Sequence, residues 1–238
     1  MRLPKSHPRY ESLRQRHAII DGIAAGVTAQ AGLIAQGRGE TFDYLIGERT
    51  TPNARAAIRA AATRMLSTPT VLSANGNIAA LCPAEYSRLS KALGAPIEVN
   101  LFYRSEKRVA AIEKAFRKHG VAALSSKTRR LKVESQRSKT TGATMLAETV
   151  LVPLEDGDRT EALKRRGKFV IAIDLNPMSR TARAADITIV DNIVRAVPLL
   201  VREVENLKKE NTGRARRFNN KANLRAAMRI MRSNLDRA

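Results

Sequence analysis

Five short strings in this 238-residue chain combine residue types that can bind phosphate and polarise a carboxyl group. They are Gly37-Arg38-Gly39, Asn75-Gly76-Asn77, Asn100 to Arg104, Glu155 to Arg159, and Asp174-Leu175-Asn176, the last running on to Arg180 and Thr181. Arginines, asparagines, hydroxyls and carboxylates in such a set suit phosphorylated ligands and a metal ion, with no covalent protein nucleophile. The glycines around Arg38 would let a backbone approach a ligand, for which a phosphate is the natural partner. A surface turn that happens to carry arginine fits that string equally well. No Walker loop with Gly-Lys-Ser/Thr and no dinucleotide GxGxxG occurs, and the three histidines are scattered. The single cysteine, Cys82, excludes an internal disulfide and a multi-cysteine metal cluster.

These strings need elements to position them, and the apolar pattern supplies those elements. Phe169 to Ile173 is a continuous apolar run with the length of a buried strand, and it stops at Asp174. Ile187 to Val190 ends likewise at Asp191-Asn192. Strands are predicted over Thr70 to Ala74, Ile97 to Phe102, Val121 to Leu124 and Thr149 to Leu154. Helices are predicted over Glu11 to Ala25, Pro52 to Met65, Pro83 to Leu93, Ser105 to about Lys118, and onward from Thr160. In the first helix Leu13, His17, Ile20 and Ala24 are the expected inward positions, leaving Arg14 and Arg16 on other faces. After Asn192 the stripe Ile193, Val197, Leu200, Val201, Val204, Leu207 forms another helix, which Pro198 should bend or delay. Gly37 to Gly39 reads as a loop, and Ser125 to Ala147 as a long basic loop. Strand and helix alternate, so the expected class is α/β, a parallel sheet with helices on both faces. Most of the polar strings follow strands, where such sheets bind ligands.

The net charge of +21 lies mostly elsewhere. Residues 104 to 139 hold 12 Lys and Arg against 3 Glu, and residues 208 to 238 hold 10 against 2 acids. The basic loop and tail could therefore engage a nucleic acid, although an aromatic content of 4% counts against base stacking. No apolar run is long enough for a membrane span and the first residues are too polar for a secretory signal, so the cytoplasm is the expected location. Leu224, Met228, Met231 and Leu235 line one face of a last helix and are expected to dock it on the protein itself or on a partner subunit. The expected division is residues 1–207 as the principal domain and 208–238 as a basic extension that turnover does not need.

The strings PKSHPRYESL, GLIAQGRGE with FDYLIGE, NGN, IEVNLFYR, LVPLEDGDRTEAL and VIAIDLNPMSRTAR running into ITIVDNIVRAVP resemble the archaeal 4-phosphopantoate–β-alanine ligase family, also called phosphopantothenate synthetase. The resemblance implies a Rossmann-like homodimeric enzyme of coenzyme A biosynthesis, with an N-terminal helical segment. Such an enzyme joins 4-phosphopantoate to β-alanine and converts ATP to AMP and pyrophosphate through an acyl-adenylate. It further implies that ATP is contacted by Arg16, Arg38, Asp174, Leu175, Asn176, Arg180, Thr181, Asn192 and Ile193. A carboxylate attacking the α-phosphorus of ATP brings two anions together, which calls for arginine, Arg38 foremost, and Mg²⁺. Asp156, Asp158 and Asp174 are candidates for the metal or for orienting the amine, with helix capping an equally good account of each. Asn75, Asn77, Arg104 and Arg159 are the candidate substrate contacts at the other strand ends.

Overall fold

The computed structural model describes residues 4–125, 131–132, 139–140, 142–210 and 217–237. In chain order the elements are α1 (Tyr10–Ala24), α2 (Gln30–Leu45), α3 (Pro52–Ser67), β1 (Thr70–Ala74), α4 (Gly76–Leu81), α5 (Pro83–Leu93), β2 (Ile97–Val99) and α6 (Glu106–Arg117). They continue as β3 (Leu131–Lys132), β4 (Lys139–Thr140), α7 (Gly142–Leu146), β5 (Thr149–Pro153), α8 (Gly157–Arg165), β6 (Phe169–Ile173), α9 (Arg180–Ala184), β7 (Ile187–Ile189), α10 (Ile193–Glu210) and α11 (Asn220–Leu235).

Five strands form one all-parallel sheet in the order β2-β1-β5-β6-β7, and β3 and β4 pair separately as an antiparallel ribbon. The sheet strands alternate their side chains between two layers, as the pleat requires. Leu72, Leu151, Ile171 and Ile173 face a large core with α3, α5, α6 and α10, while Val71, Val150, Val152, Val170 and Ala172 face a smaller one beneath α8. The α/β expectation thus holds. Counted along the chain, the sheet strands run 2-1-3-4-5, so the direction of winding reverses between β1 and β5. Outside the carboxyl ends at such a reversal is where open α/β sheets open a crevice.

Several local expectations are corrected. Gly37-Arg38-Gly39 is helical, inside α2, because α2 packs on α1 and on the turn after β6, which offsets the roughly 1 kcal/mol that each helical glycine costs. The inward face of α1 is Ser12, Gln15, Ile19 and Gly22, while Ile20 is 42% exposed; small and polar residues face inward here because α1 lies on α2 and α4 and its Gln15 reaches Asn192. Val121 to Leu124 makes only a single bridge, Leu124 to Glu98, not a strand. The expected basic loop contains the β3–β4 ribbon and α7; residues 126–130, 133–138 and 141 of it lie outside the described residues. Helix α8 starts at Gly157, before Thr160, because Asp156 caps it. Pro198 neither delays nor interrupts α10, whose first turn the Asn192 side chain caps by accepting from the Val194 N–H at 3.2 Å.

Candidate active site

At the reversal between β1 and β5 lies a cavity of about 440 Å³, and its walls come from five places. The turns after β1 (Asn75 to Asn77) and β5 (Leu154 to Asp156) form the floor. Asn100 to Tyr103 after β2, Arg108 of α6, and Gly32 and Arg38 of α2 complete it. Asn75 joins the two central strands: its Oδ1 accepts from the Ile78 N–H at 3.2 Å, and its Nδ2 donates to the Leu154 carbonyl at 3.0 Å. Leu154, strapped in this way, has a φ of +51°, in the left-handed region that a branched side chain rarely adopts, and it turns the chain so that Glu155 enters the cavity wall. Asn77 donates from Nδ2 to the Gly32 carbonyl at 3.0 Å and so ties α2 down. Only glycine fits at Gly76, where a Cβ would lie 2.4 Å from the Val27 carbonyl oxygen.

The cavity is bipolar. Arg108 donates to the carbonyls of Tyr103 and Val27, yet its Nε is buried with no hydrogen-bond partner among the described residues, and burial lowers its pKa below the ordinary guanidinium range. That is a cation short of counter-charge. Opposite in sign stands Glu155, whose side chain is only 14% exposed. Burial raises its pKa above the ordinary 4.5, against the opposing pull of Arg159 and the Asp156 N–H. Behind it the layer beneath α8 stops being apolar. Arg159, 4% exposed, lies 3.5 Å from Glu155 and 3.9 Å from Glu98, and Glu98 accepts from the N–H and Oγ1 of Thr144 at 3.1 and 2.7 Å.

The remaining residues expected at the site divide clearly. Arg38, Asn75, Asn77 and Asp156 line the cavity; Arg104 and Arg159 are not among its lining residues. Arg104 is 3.8 Å from Glu106, with its Nε buried and unpartnered among the described residues. The Asp156 carboxylate accepts from the Asp158 N–H at 3.1 Å, and Asp158 pairs at the surface with Arg180 at 2.8 Å. Arg180 also pairs with Glu161 at 2.8 Å. Asp174 folds into its own turn, accepting from the Asn176 N–H at 2.9 Å and from Ser179 Oγ, while burial raises its pKa. Asn176 accepts from the Met178 N–H, Thr181 donates to the Glu155 carbonyl at 2.9 Å, and Leu175 and Ile193 are buried.

Helix α2 connects these turns to the cavity. Its Gly39 approaches Leu175, and its Asp43 accepts from Asn192 Nδ2 at 2.7 Å and pairs with Arg195. Arg16 of α1 pairs with Glu40 of α2 at 3.1 Å. A second, larger hollow of about 860 Å³ lies between α1, α2 and the start of α10, lined by Gln15, Glu40, Asp43, Asn192 and Arg195 among others. Arg108 was missed from sequence, and Asn100 and Glu155, though inside the polar strings after β2 and β5, were not singled out as site residues. The signal for Glu155 was available, since it is the first polar residue after β5; nothing in sequence marked Arg108 on an ordinary amphipathic helix. Groups of three or more His, Cys, Asp or Glu able to hold a metal are absent among the described residues. That donor set suits an ion carried in on a polyphosphate better than one held in a protein cage.

The phosphopantothenate/pantothenate synthetase family model matches residues 53–234. A 4-phosphopantoate–beta-alanine ligase of Thermococcus kodakarensis is 54% identical over 212 residues, covering 87% of this chain and 81% of the relative. One of the same name from Methanosarcina mazei is 47% identical over 212 residues, covering 87% and 84%. Another from Methanospirillum hungatei is 41% identical over 237 residues, 98% of each chain.

Proposed function

This chain belongs to the phosphopantothenate/pantothenate synthetase family, and from that premise we propose that it is an ATP-dependent ligase condensing 4-phosphopantoate with β-alanine to 4′-phosphopantothenate in coenzyme A biosynthesis. The observation that carries the reading is identity of 41% over 98% of both chains, with a bipolar cavity at the point where the sheet reverses. The chemistry is AMP-forming. The pantoate carboxylate attacks the α-phosphorus of ATP, pyrophosphate leaves, and the amine of β-alanine displaces AMP from the acyl-adenylate.

Arg38, exposed on α2 and lining the cavity, is suited to hold the approaching anions together in the first step. Arg108, a desolvated cation on the opposite wall, is suited to the phosphate of 4-phosphopantoate. The nucleotide would lie along the carboxyl ends of β6 and β7, over the Asp174–Asn176 turn, Arg180, Thr181, Asn192 and Ile193, with Arg16 at the margin. The turn itself is held rigid by the Asp174 and Asn176 side chains, which accept from the Asn176 and Met178 N–H groups. Mg²⁺ carried in on the triphosphate would neutralise part of its charge. We also propose a homodimer located in the cytoplasm. In favour of self-association, Ile34 at 66% and Ile20 at 42% leave apolar surface exposed on α2 and α1. No helix among the described residues is long and apolar enough to cross a membrane.

The direct test is the purified protein with ATP, Mg²⁺, 4-phosphopantoate and β-alanine, which should yield AMP and pyrophosphate. Unphosphorylated pantoate should react poorly, because it leaves the half-buried Arg108 without its counter-charge. The basic loop and tail motivated a nucleic-acid reading; the relatives named above are ligases, and salt-sensitive RNA binding without AMP formation would restore it.

A further inference from the structure

The amine step needs an acceptor for the ammonium of the amino acid, and the three aspartates expected from sequence are each engaged in holding local structure. Asp156 caps α8, Asp158 pairs with Arg180 at the surface, and Asp174 is folded into its own turn. Two other groups in the cavity are available. Asn100 is 4% exposed, and its Nδ2 donates to Ser73 Oγ at 3.1 Å and to the Glu98 carbonyl at 3.2 Å. Because a carbonyl can only accept, that second contact fixes which end of the amide is which. Its Oδ1 is left as a buried acceptor without a partner among the described residues, in the wall of the cavity. Ser73 Oγ, receiving the Asn100 proton, donates its own to Glu155 Oε2 at 3.4 Å. One hydrogen-bonded chain therefore positions an amide oxygen and a carboxylate on the same wall.

On the ligase reading, we propose that Glu155 and Asn100 form the amine subsite, with Glu155 as the base that frees the β-alanine nitrogen and Asn100 Oδ1 as a second acceptor orienting it. Glu155 takes one proton from the ammonium, and the exposed lone pair forms the C–N bond at the acyl carbon. The tetrahedral intermediate loses its second N–H proton to solvent and expels AMP, whose phosphate oxygen leaves with the electrons of the broken C–O bond. Glu155 then passes its proton to water. Burial raises the basicity of this carboxylate, with Arg159 at 3.5 Å behind it pulling the other way.

The experiment separates the two half-reactions. Wild-type protein should exchange labelled pyrophosphate into ATP when 4-phosphopantoate is present; failure there removes the ligase reading itself. Glu155→Gln should keep that exchange within a few-fold and lose about 10²-fold or more in β-alanine ligation. It should still pass the acyl group to hydroxylamine, a nucleophile already neutral at neutral pH that needs no base. Retained ligation with β-alanine would overturn the proposal, and so would parallel loss of exchange, hydroxamate and ligation in a folded variant. Asn100→Ala should raise the KM for β-alanine with exchange intact; an unchanged KM counts against the subsite.

A wild-type measurement covers a variant that does not fold. In a mixture of β-alanine and hydroxylamine, the ratio of amide to hydroxamate reports the amine step alone. With an enzymic base the ratio is flat from pH 7 to 9. Unassisted attack by an amine with a pKa of about 10 would make it climb tenfold per pH unit, which overturns the proposal. The charged and titratable groups around Glu155 are Arg159 and Asp156 beside it, Tyr86 from α5, Glu98 of β2 beyond Arg159, and Arg38 and Arg108 across the cavity.

Discussion

Arg38 is exposed, and no described side chain pairs with it, so its removal should leave the fold intact. Arg38→Ala is expected to lower turnover by about 10² or more while the melting temperature stays within a degree or two. Arg38→Lys should recover only part of it, since lysine offers a point charge in place of a planar fork. Unchanged turnover per folded molecule would remove Arg38 from the mechanism. At this scale the sequence was legible for residues directly following strands, such as Asn75, Asn77 and Asp156. It misled for Arg38's surroundings, because two flanking glycines read as a loop when tertiary packing makes them helix. It placed Asn100 in a strand-end string without giving it a role and was silent on Ser73, because their hydrogen bonds join separate strands.

Among the elements, α1 and α2 are fastened through one carboxylate. Glu40 accepts from Tyr44 at 2.6 Å, Ser12 at 2.7 Å and Arg16 at 3.1 Å. Burial pushes its pKa up, but these hydrogen bonds outweigh burial and hold it at about 2, below the ordinary 4.5. A depressed carboxylate contributes stability that is complete above its unfolded pKa, so this contribution should fade as pH falls from 4.5 toward 2. Glu40→Gln should be less stable at neutral pH and show a shallower loss over that window, by denaturant titration. An identical pH profile in the two proteins would refute the assignment.

Helix α11 closes the other end of the same layer. Leu224, Ala227 and Met231 are buried with Ile46, Leu175, Ala182 and Val190, whereas Met228 and Leu235 of the expected stripe are 36% and 60% exposed. Asn220 accepts from the Thr188 N–H at 2.8 Å, and Asn223 donates to the Thr188 carbonyl at 2.8 Å, so two asparagines cover the outer edge of β7. From these contacts, and from a family match that runs through residue 234, we propose that the segment supports the fold, in place of the expectation that turnover does not need it. A chain ending at Asn206 should lose several degrees of melting temperature and most of its turnover together; full turnover would show that α11 is an accessory. The periodicity of leucine and methionine could not reveal this, because the decisive contacts are asparagine to backbone.

For the whole molecule, the class of fold, a parallel sheet between two helical layers, followed from apolar runs of strand length alternating with helical patterns. The order of those strands did not, since periodicity fixes which residues face a core and leaves open which strand lies beside which. That order has a kinetic consequence. The central pair joins Thr70 to Thr149 and Leu72 to Leu151, partners separated in the chain by every element from α4 through α7. Contacts so distant in sequence are made late, because the loop entropy must be overcome before they contribute. The cavity lies between the turns that follow these two strands, so it does not exist until the seam has closed. In a refolding experiment followed by far-ultraviolet circular dichroism and by nucleotide-dependent fluorescence, most helical signal should return early. Ligand competence should appear only with the slowest phase, and a chain caught before that phase would look nearly native while binding nothing.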